Sequence, residues 1–294
     1  MRKILITGAT GGLGGAVVNF LKSQVPVSDI AILARNAESE QVKAYQNEGI
    51  GVKIGTYDDK NSLIKAFTGI DILYFVSGND IDARMAQHEQ VVSAAKEAGV
   101  KHILYTSTVR KNESAAAPLY PVVSTHVQTE EWIKASGMTY TILRHNLYAE
   151  VILMFLGDQL LQTKSIFLPT GDGKTSFVVR EDFAQAEANI IAQAAQHENK
   201  IYELNGTEQL SFAEIGTIIA GASGTELQYT SPDVTTFTDA LSAAGLPSVV
   251  IDTLSQFSQA IAAGEFDTVT DDLARLLGKA PQSVSEFLKN VYSK

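Results

Sequence analysis

The sequence predicts an α/β protein with a doubly wound parallel sheet and a smaller α/β unit towards the C-terminal end. Short apolar segments alternate with helical patterns over the first 150 residues, which is typical of parallel strands joined by crossover helices. The segment at residues 72–76 is apolar on both faces, as in a strand that helices cover on both sides. A glycine-rich turn follows the first apolar segment.

The elements of the sheet follow one another regularly along the chain. Six apolar segments predict strands at residues 3–6, 30–33, 52–54, 72–76, 103–106 and 140–143. The intervening segments predict helices at residues 13–21, 39–48, 61–67, 83–98 and 125–135. Four of these helices stop at or just before a glycine, at positions 49, 69, 99 and 137, and glycine commonly ends helices.

The alternation loosens after residue 150. Residues 171–174 predict a hairpin turn, and an alanine-rich helix over residues 182–195 is expected to return to the sheet. We therefore predict a first domain over residues 1–150, with residues 176–200 packed back on it. Residues 151–175 and 201–294 would form the smaller unit, over the carboxyl ends of the strands, where open α/β sheets bind ligands.

Composition excludes several classes of partner. The chain of 294 residues has 33 acidic and 23 basic side chains, so its net charge of −10 argues against binding to nucleic acid or an anionic membrane. It contains no cysteine, and its five histidines show no metal-ligand spacing, so no metal site is predicted. No apolar run approaches the ~20 residues that span a bilayer. We expect a cytoplasmic protein.

The glycine-rich turn indicates a phosphate-binding site. Gly8, Gly11 and Gly14 form a G-x-x-G-x-x-G pattern between the first strand and the first helix. Such a turn lets backbone N–H groups at a helix N-terminus approach the pyrophosphate of a dinucleotide. The expected contacts are Gly8, Thr10, Gly11, Gly12, Leu13 and Gly14. The alternative is a glycine-rich turn with no ligand.

The end of the second strand indicates which dinucleotide binds. An acidic residue there usually binds the ribose of NAD, whereas arginine suits the 2′-phosphate of NADP. Here Arg35 and Asn36 follow the strand, and the first acid is Glu38. We predict NADP(H) in preference to NAD(H), the alternative being that Arg35 is simply solvated.

Segments spread over nearly the whole chain resemble the NmrA-like group of atypical short-chain dehydrogenase/reductases, and within it the bacterial reductases of quinones and triphenylmethane dyes. The matching segments are residues 7–14, 35–36, 99–103, 126–130, 143–148, 180–184, 271–273 and 277–278. The resemblance implies an NADP-binding Rossmann domain, a substrate-binding C-terminal subdomain and hydride transfer to quinones or dyes. Other members bind the cofactor without turnover and act as redox sensors.

The resemblance also suggests further site residues. Where the family often has Gly-Asp-Tyr, with the Asp near the adenine, this chain has Thr56 before Tyr57, and Tyr57 could still pack beside the adenine. Polar residues after the later strands are expected to contact the cofactor, at Ser77, Gly78, Thr106 and Asn146. The candidate catalytic residues, none of them certain, are His126, Asn146 and Tyr148. His126 could instead be structural, and the aromatic side chains Tyr148, Phe155 and Phe167 could form either an acceptor wall or plain core.

The chemistry is constrained by a missing motif. No tyrosine has a lysine four residues later, so the Tyr-x-x-x-Lys proton donor of most short-chain reductases is absent. This favours an acceptor whose reduction needs little assistance from a proton donor, such as a quinone or a dye cation. We predict an NADPH-dependent reductase of a small planar acceptor such as a quinone, in a monomer or homodimer. The alternative is a non-catalytic NADP(H) sensor.

Overall fold

A computed structural model describes residues 2–293 of the chain. In this range the strands are β1 Ile4–Ile6, β2 Ile30–Ala34, β3 Gly51–Ile54, β4 Ile72–Phe75, β5 His102–Thr108, β6 Thr139–His145, β7 Ser165–Phe167, β8 Lys174–Thr175, β9 Lys200–Leu204, β10 Leu210–Ser211 and β11 Gln228–Thr230. The helices are α1 Gly12–Leu21, α2 Glu40–Asn47, α3 Lys60–Phe67, α4 Ile81–Glu97, α5 Tyr120–Ala135, α6 Ala149–Leu156, α7 Leu160–Thr163, α8 Arg180–Ala192, α9 Phe212–Ser223, α10 Val234–Ala243, α11 Ser248–Ala262, α12 Asp272–Leu277 and α13 Val284–Tyr292.

The predicted doubly wound parallel sheet is confirmed. Its order in the described residues is β3-β2-β1-β4-β5-β6-β9, and every neighbouring pair is parallel. All six predicted strands are present in this sheet. The strand order reverses beside β1, between β1 and β4, and such a reversal opens a crevice at the carboxyl ends of the strands.

The edge strand β9 is not predicted by the sequence pattern. Its residues, Lys-Ile-Tyr-Glu-Leu, combine charged and apolar side chains without a buried run, and most of them are partly or fully exposed. This composition is common at a sheet edge. Helix α12 packs against α8 and β9, so two late segments of the chain join the sheet. The assignment of residues 151–175 and 201–294 to substrate binding stays a prediction.

After residue 175 the chain packs against α1 through α8, and the expected hairpin is absent. Helix α8 packs against α1, with Phe183 and Ala184 in one buried cluster with Leu13 and Val17. Residues 171–174 do turn, yet the strands on either side pair elsewhere, β7 with β11 and β8 with β10. The hairpin prediction is therefore wrong, because a two-residue turn signal does not identify the strand partners.

A second apolar core lies in the later part of the chain and helps to position the site. It contains the buried aromatic side chains Phe155, Phe177, Phe212, Phe237 and Phe266. This cluster supports α6 and the segment around residue 266, which face the carboxyl ends of the central strands across a cleft. None of the helices within residues 2–293 combines the length and the apolar character needed to cross a bilayer.

Candidate cofactor and acceptor cleft

A cavity of about 1170 Å³ runs along the carboxyl ends of the central strands. It brings together all the residues that the sequence analysis assigned to the cofactor, Gly8, Thr10, Gly11, Gly12, Leu13, Gly14, Arg35, Tyr57, Ser77, Gly78, Thr106 and Asn146. His126 and Tyr148 line the same cavity. Residues from widely separated parts of the sequence therefore form one site at the point where the strand order reverses.

The glycine turn has the geometry of a close helix–strand junction. Gly8 has a φ of +63°, a backbone conformation that favours glycine. The amide of Gly11 donates to the carbonyl oxygen of Gly8 at 2.9 Å and closes the turn. A Cβ on Gly14 would lie 2.4 Å from that same carbonyl oxygen. The turn and the first helical residues therefore require glycine for steric reasons.

The start of α1 offers free donors to an anion. The amides of Gly12 and Leu13 have no acceptor among residues 2–293, and the helix has neither a side-chain cap nor an acidic residue in its first turn. Unpaired N–H groups and the positive end of the helix dipole favour a bound phosphate. This part of the cleft therefore fits the pyrophosphate of a dinucleotide.

Arg180 adds a positive charge at the same turn, and the sequence analysis did not identify it. A Cβ on Gly12 would lie 2.9 Å from Nη1 of Arg180, so the guanidinium covers the turn closely. It also lies over the ring of Tyr148, 5.0 Å from the centroid. No carboxylate within residues 2–293 forms a salt bridge with it at 4.0 Å or less. The guanidinium is thus free to pair with a ligand phosphate.

The opposite end of the turn has the features expected for the adenosine half of a dinucleotide. Arg35 is exposed at the end of β2 and lines the cavity. The hydroxyl of Tyr57 lies 2.6 Å from Oγ1 of Thr7 and 2.8 Å from the carbonyl oxygen of Val76, so it braces the ends of β1 and β4. The hydroxyl of Thr56 donates to Asp58 at 3.1 Å. Asp58 therefore holds a carboxylate beside Thr56, the residue that stands where the family often has an acid.

Two backbone amides after β4 donate to side chains of β5 and α4 beneath the cleft. The amide of Ser77 donates to Oγ1 of Thr106 at 2.9 Å. The amide of Gly78 donates to Nε2 of His88 at 3.0 Å. Because Nε2 accepts, the proton of neutral His88 is on Nδ1, which lies 2.9 Å from Oγ1 of Thr129. The segment after β4 is therefore held in a fixed position.

The position of the ring proton on His126 follows from its contact with Tyr105. The hydroxyl of Tyr105 lies 2.7 Å from Nδ1 of His126 and 3.4 Å from the protonated Nδ1 of His88, so it donates to His126. Burial and the nearby charge of Arg84 hold the pKa of His126 well below its usual range. The ring is neutral, with its proton on Nε2. That nitrogen has no partner among residues 2–293, so it can donate to a ligand in the cleft.

Asn146 is largely engaged with the protein. Its amide nitrogen donates to Oδ1 of Asn205 at 2.8 Å and to the carbonyl oxygen of Phe266 at 3.0 Å. Its own Oδ1 accepts from the amide of Leu147 at 2.7 Å. Both amide hydrogens are therefore used, and a ligand could reach only the remaining lone pair on Oδ1.

Tyr148 belongs to a buried polar cluster. Its hydroxyl lies 3.3 Å from Nδ1 of His145, and His145 stacks on Phe183 at 4.3 Å between centroids. Nε2 of His145 is hydrogen-bonded to the buried carboxylate of Glu187. Burial and the charge of Glu187 raise the pKa of Tyr148 above its usual value. Tyr148 is therefore a poor proton donor, and its ring serves as a surface beside Arg180.

Of the three aromatic side chains that could form either an acceptor wall or core, two line the cavity. Tyr148 and Phe155 line the cavity, together with Phe257 and Phe266 from the later part of the chain. Phe167 does not line it, but packs against Phe237 in the second core at 6.2 Å between centroids. Phe167 is therefore correctly interpreted as core rather than as wall.

A buried ion cluster holds the ends of β5, β6 and α5 together. The carboxylate of Glu130 pairs with Arg110 at 2.6 Å and with Arg144 at 2.8 Å, and it accepts from the hydroxyl of Ser107 at 2.6 Å. These contacts lower the pKa of Glu130 to about 2, although burial acts in the opposite direction. Arg110, Arg144 and Ser107 are all bound to Glu130, so the cluster supports the site rather than binding a ligand.

The chain matches the NmrA-like family over residues 1–288. It is 32% identical to quinone oxidoreductase 2 of Escherichia coli over 291 residues, which cover 99% of each protein. The structure of that enzyme with NADPH superposes with a TM-score of 0.91, covering 99% of this chain and 100% of the other. The NADP(H) complex of Citrobacter sp. triphenylmethane reductase gives a TM-score of 0.88 at 32% identity, covering 98% and 99% of the two chains. The chain described here belongs to the NmrA-like family.

Proposed function

We propose that the chain is an NADPH-dependent reductase that transfers hydride to quinones or similarly planar, dye-like acceptors. The observation that carries this proposal is the single cleft, which combines a phosphate-binding turn, a cation at each end of it and an aromatic wall. The full-length similarity to reductases of quinones and triphenylmethane dyes supports the same reaction.

Different residues of the chain would bind different parts of the cofactor. The amides of Gly12 and Leu13 and the guanidinium of Arg180 would hold the pyrophosphate. Arg35 would pair with the 2′-phosphate, which gives the preference for NADP(H) over NAD(H). Ser77, Thr106 and Asn146 would contact the nicotinamide half, at the ends of β4, β5 and β6. When bound, the cofactor supplies the hydride.

The rest of the cleft would position the acceptor. Aromatic side chains on one side can hold a flat ring in contact with the nicotinamide face, which is the geometry that hydride transfer needs. The absence of a Tyr-x-x-x-Lys pair agrees with acceptors whose reduction does not depend on a strong proton donor. The Nε2–H of His126 could still donate a hydrogen bond to the acceptor.

The test is to mix the purified protein with NADPH and a benzoquinone and to follow the loss of the absorbance of NADPH. The proposal predicts saturable turnover that exceeds the uncatalysed reaction, and weaker turnover with NADH. If NADPH binds but several quinones and dyes give no rate above that background, the chain is not a reductase of these acceptors. A protein that binds NADPH and NADP⁺ with different affinities, without turnover, would fit the sensor alternative.

A further inference from the structure

The structure contains a buried cation in the cleft that has no anionic partner. Arg84, in the first turns of α4, is only 5% exposed and lines the cavity. Its Nη2 donates to the carbonyl oxygen of Val122 at 2.9 Å, whereas its Nε is buried without a hydrogen-bond partner. No carboxylate in the described part of the chain lies within 4.0 Å of the guanidinium. Such an arrangement is unfavourable unless an anion or an electron-rich oxygen compensates it.

The first turn of α5 adds a partial positive charge beside Arg84. Its guanidinium reaches from α4 to the first turn of α5, where Val122 lies, and that turn has no acidic residue. The positive dipole end of α5 therefore lies at this corner of the cleft, whereas the first turn of α4 contains Asp82. Asp80, which also lines the cleft, caps α4 by accepting from the amide of Ala83 at 3.2 Å. Neither Asp80 nor Asp82 lies within 4.0 Å of the guanidinium, so neither forms a salt bridge with it.

A second donor points to the same corner. Val122, whose carbonyl oxygen accepts from Arg84, lies four residues before His126 on α5, so the guanidinium binds α5 one helical turn from His126. His126 presents its Nε2–H to the cavity, because Tyr105 occupies Nδ1. A cation and a neutral N–H donor together resemble the groups that stabilise a developing oxyanion.

The two acceptor classes of the proposed function differ in the charge that the reaction creates. When a quinone takes a hydride, the nicotinamide is oxidised, the quinone becomes the hydroquinone monoanion, and a proton from water then completes the hydroquinone. When a triphenylmethane cation takes a hydride, the new C–H bond forms at the central carbon and the product is neutral. A guanidinium therefore stabilises the transition state of the first reaction and repels the substrate of the second.

We propose that Arg84, together with the Nε2–H of His126, binds the acceptor oxygen that becomes negative during hydride transfer, so that the acceptors of this protein are quinones rather than cationic dyes. This inference rests on the proposed reductase function and specifies its substrate class. It makes Arg84 a catalytic residue in the sense that it contacts the reacting acceptor.

The kinetic test compares one benzoquinone with one cationic triphenylmethane dye in Arg84→Gln, Arg84→Lys and the wild type. Arg84→Gln should lower kcat for the quinone about 100-fold with a smaller change in KM, because the charge develops in the transition state. The kcat/KM for the dye should stay the same or rise. Arg84→Lys should keep part of the quinone rate. Lys96→Gln, which removes an exposed charge from the same helix, should leave both rates unchanged.

A binding test covers the case in which no acceptor is turned over. The NADP⁺-loaded protein is titrated with 4-nitrophenol, whose absorbance reports its ionisation. The wild type should shift the ionisation of the bound phenol to lower pH, and Arg84→Gln should abolish this shift. Absence of the shift in the wild type, or an equal loss of quinone and dye turnover in Arg84→Gln, would overturn the role of Arg84. Binding of NADPH without reduction of any acceptor would instead overturn the proposed function alone.

Discussion

The hydroxyl of Tyr105 lies 2.7 Å from Nδ1 of His126, and this contact determines which nitrogen of His126 faces the cleft with a proton. The hydroxyl proton of Tyr105 is available to His126, because Nδ1 of His88 already carries a proton and cannot accept a hydrogen bond. Two buried histidines and one buried tyrosine thus form a fixed hydrogen-bond network beneath the ends of β4 and β5.

We expect His126 to remain neutral, with its proton on Nε2, when the pH falls below the usual histidine pKa of about 6.5. Burial and the charges of Arg84, His88 and Arg110 oppose protonation, and Tyr105 selects the tautomer. Nitrogen NMR of the imidazole rings measures both properties directly. Tyr105→Phe should allow both tautomers while leaving the ring neutral. Protonation of wild-type His126 at the usual histidine pKa of about 6.5 would show that burial and these charges do not keep the ring neutral.

Stability should fall as the solution is acidified below the usual histidine pKa of about 6.5. Burial lowers the pKa of His88 to about 3 and that of His102 to about 4. The unfolded chain therefore binds protons first as the pH decreases, and each histidine contributes a slope that approaches about 1.4 kcal/mol per pH unit. The pKa of Glu130 is lowered to about 2 in the folded chain, and this also contributes stability. That contribution is lost only at lower pH, as the pH falls below about 4.5.

Urea unfolding at several pH values between about 5 and 7 measures this slope. His88→Gln, whose amide can still accept from Gly78 and donate to Thr129, should reduce the proton uptake on unfolding by about one. An unchanged slope in this variant would show that His88 is not held neutral in the folded state.

Glu130→Gln should destabilise the fold strongly. The change leaves Arg110 and Arg144 without their shared carboxylate in a buried site, and loss of one partner of a buried pair costs about 3–5 kcal/mol. The matched control is Glu131→Gln on the same helix, where an exposed pair with Lys134 is removed and the change should stay within about 0.5 kcal/mol. Urea denaturation compares the two. Equal effects would mean that the buried cluster contributes no more than a surface ion pair.

Arg35 and Arg180 should affect cofactor binding differently. Arg35→Ala should weaken NADPH by about 1.5–3 kcal/mol and change NADH little, because only NADPH has the 2′-phosphate. Arg180→Gln should weaken both cofactors by a similar factor, because both contain the pyrophosphate. Isothermal titration calorimetry with both nucleotides measures the four changes. A similar loss for NADPH and NADH in Arg35→Ala would remove Arg35 from 2′-phosphate recognition.

The parts of the molecule that the sequence predicts are those determined by short-range patterns. The strands β1, β2, β4, β5 and β6 contain apolar runs, and the glycine turn directly follows β1. Strand β9 is missed because an edge strand does not need a fully apolar sequence. The expected hairpin at residues 171–174 fails because β8 pairs with β10, a contact between residues distant in the chain.

The residues of the candidate site also differ in whether the sequence alone identifies them. The glycine turn and Arg35 can be identified from their position after a strand. The importance of Arg84 and Arg180 follows from what surrounds them in space, namely the lack of a carboxylate and the approach to Gly12. Asn146 is identified by its position after β6, but its engagement with Asn205 and Phe266 becomes visible only in the folded chain.

The binding of NADPH to the purified wild-type protein tests the central claim most directly. Calorimetry should give a saturable one-to-one isotherm, and the melting temperature should increase with the concentration of NADPH, because a ligand that binds the folded state stabilises it. NADH should bind more weakly at the same site. If neither nucleotide produces heat of binding or raises the melting temperature, the cleft is not a nicotinamide-nucleotide site and the account is contradicted.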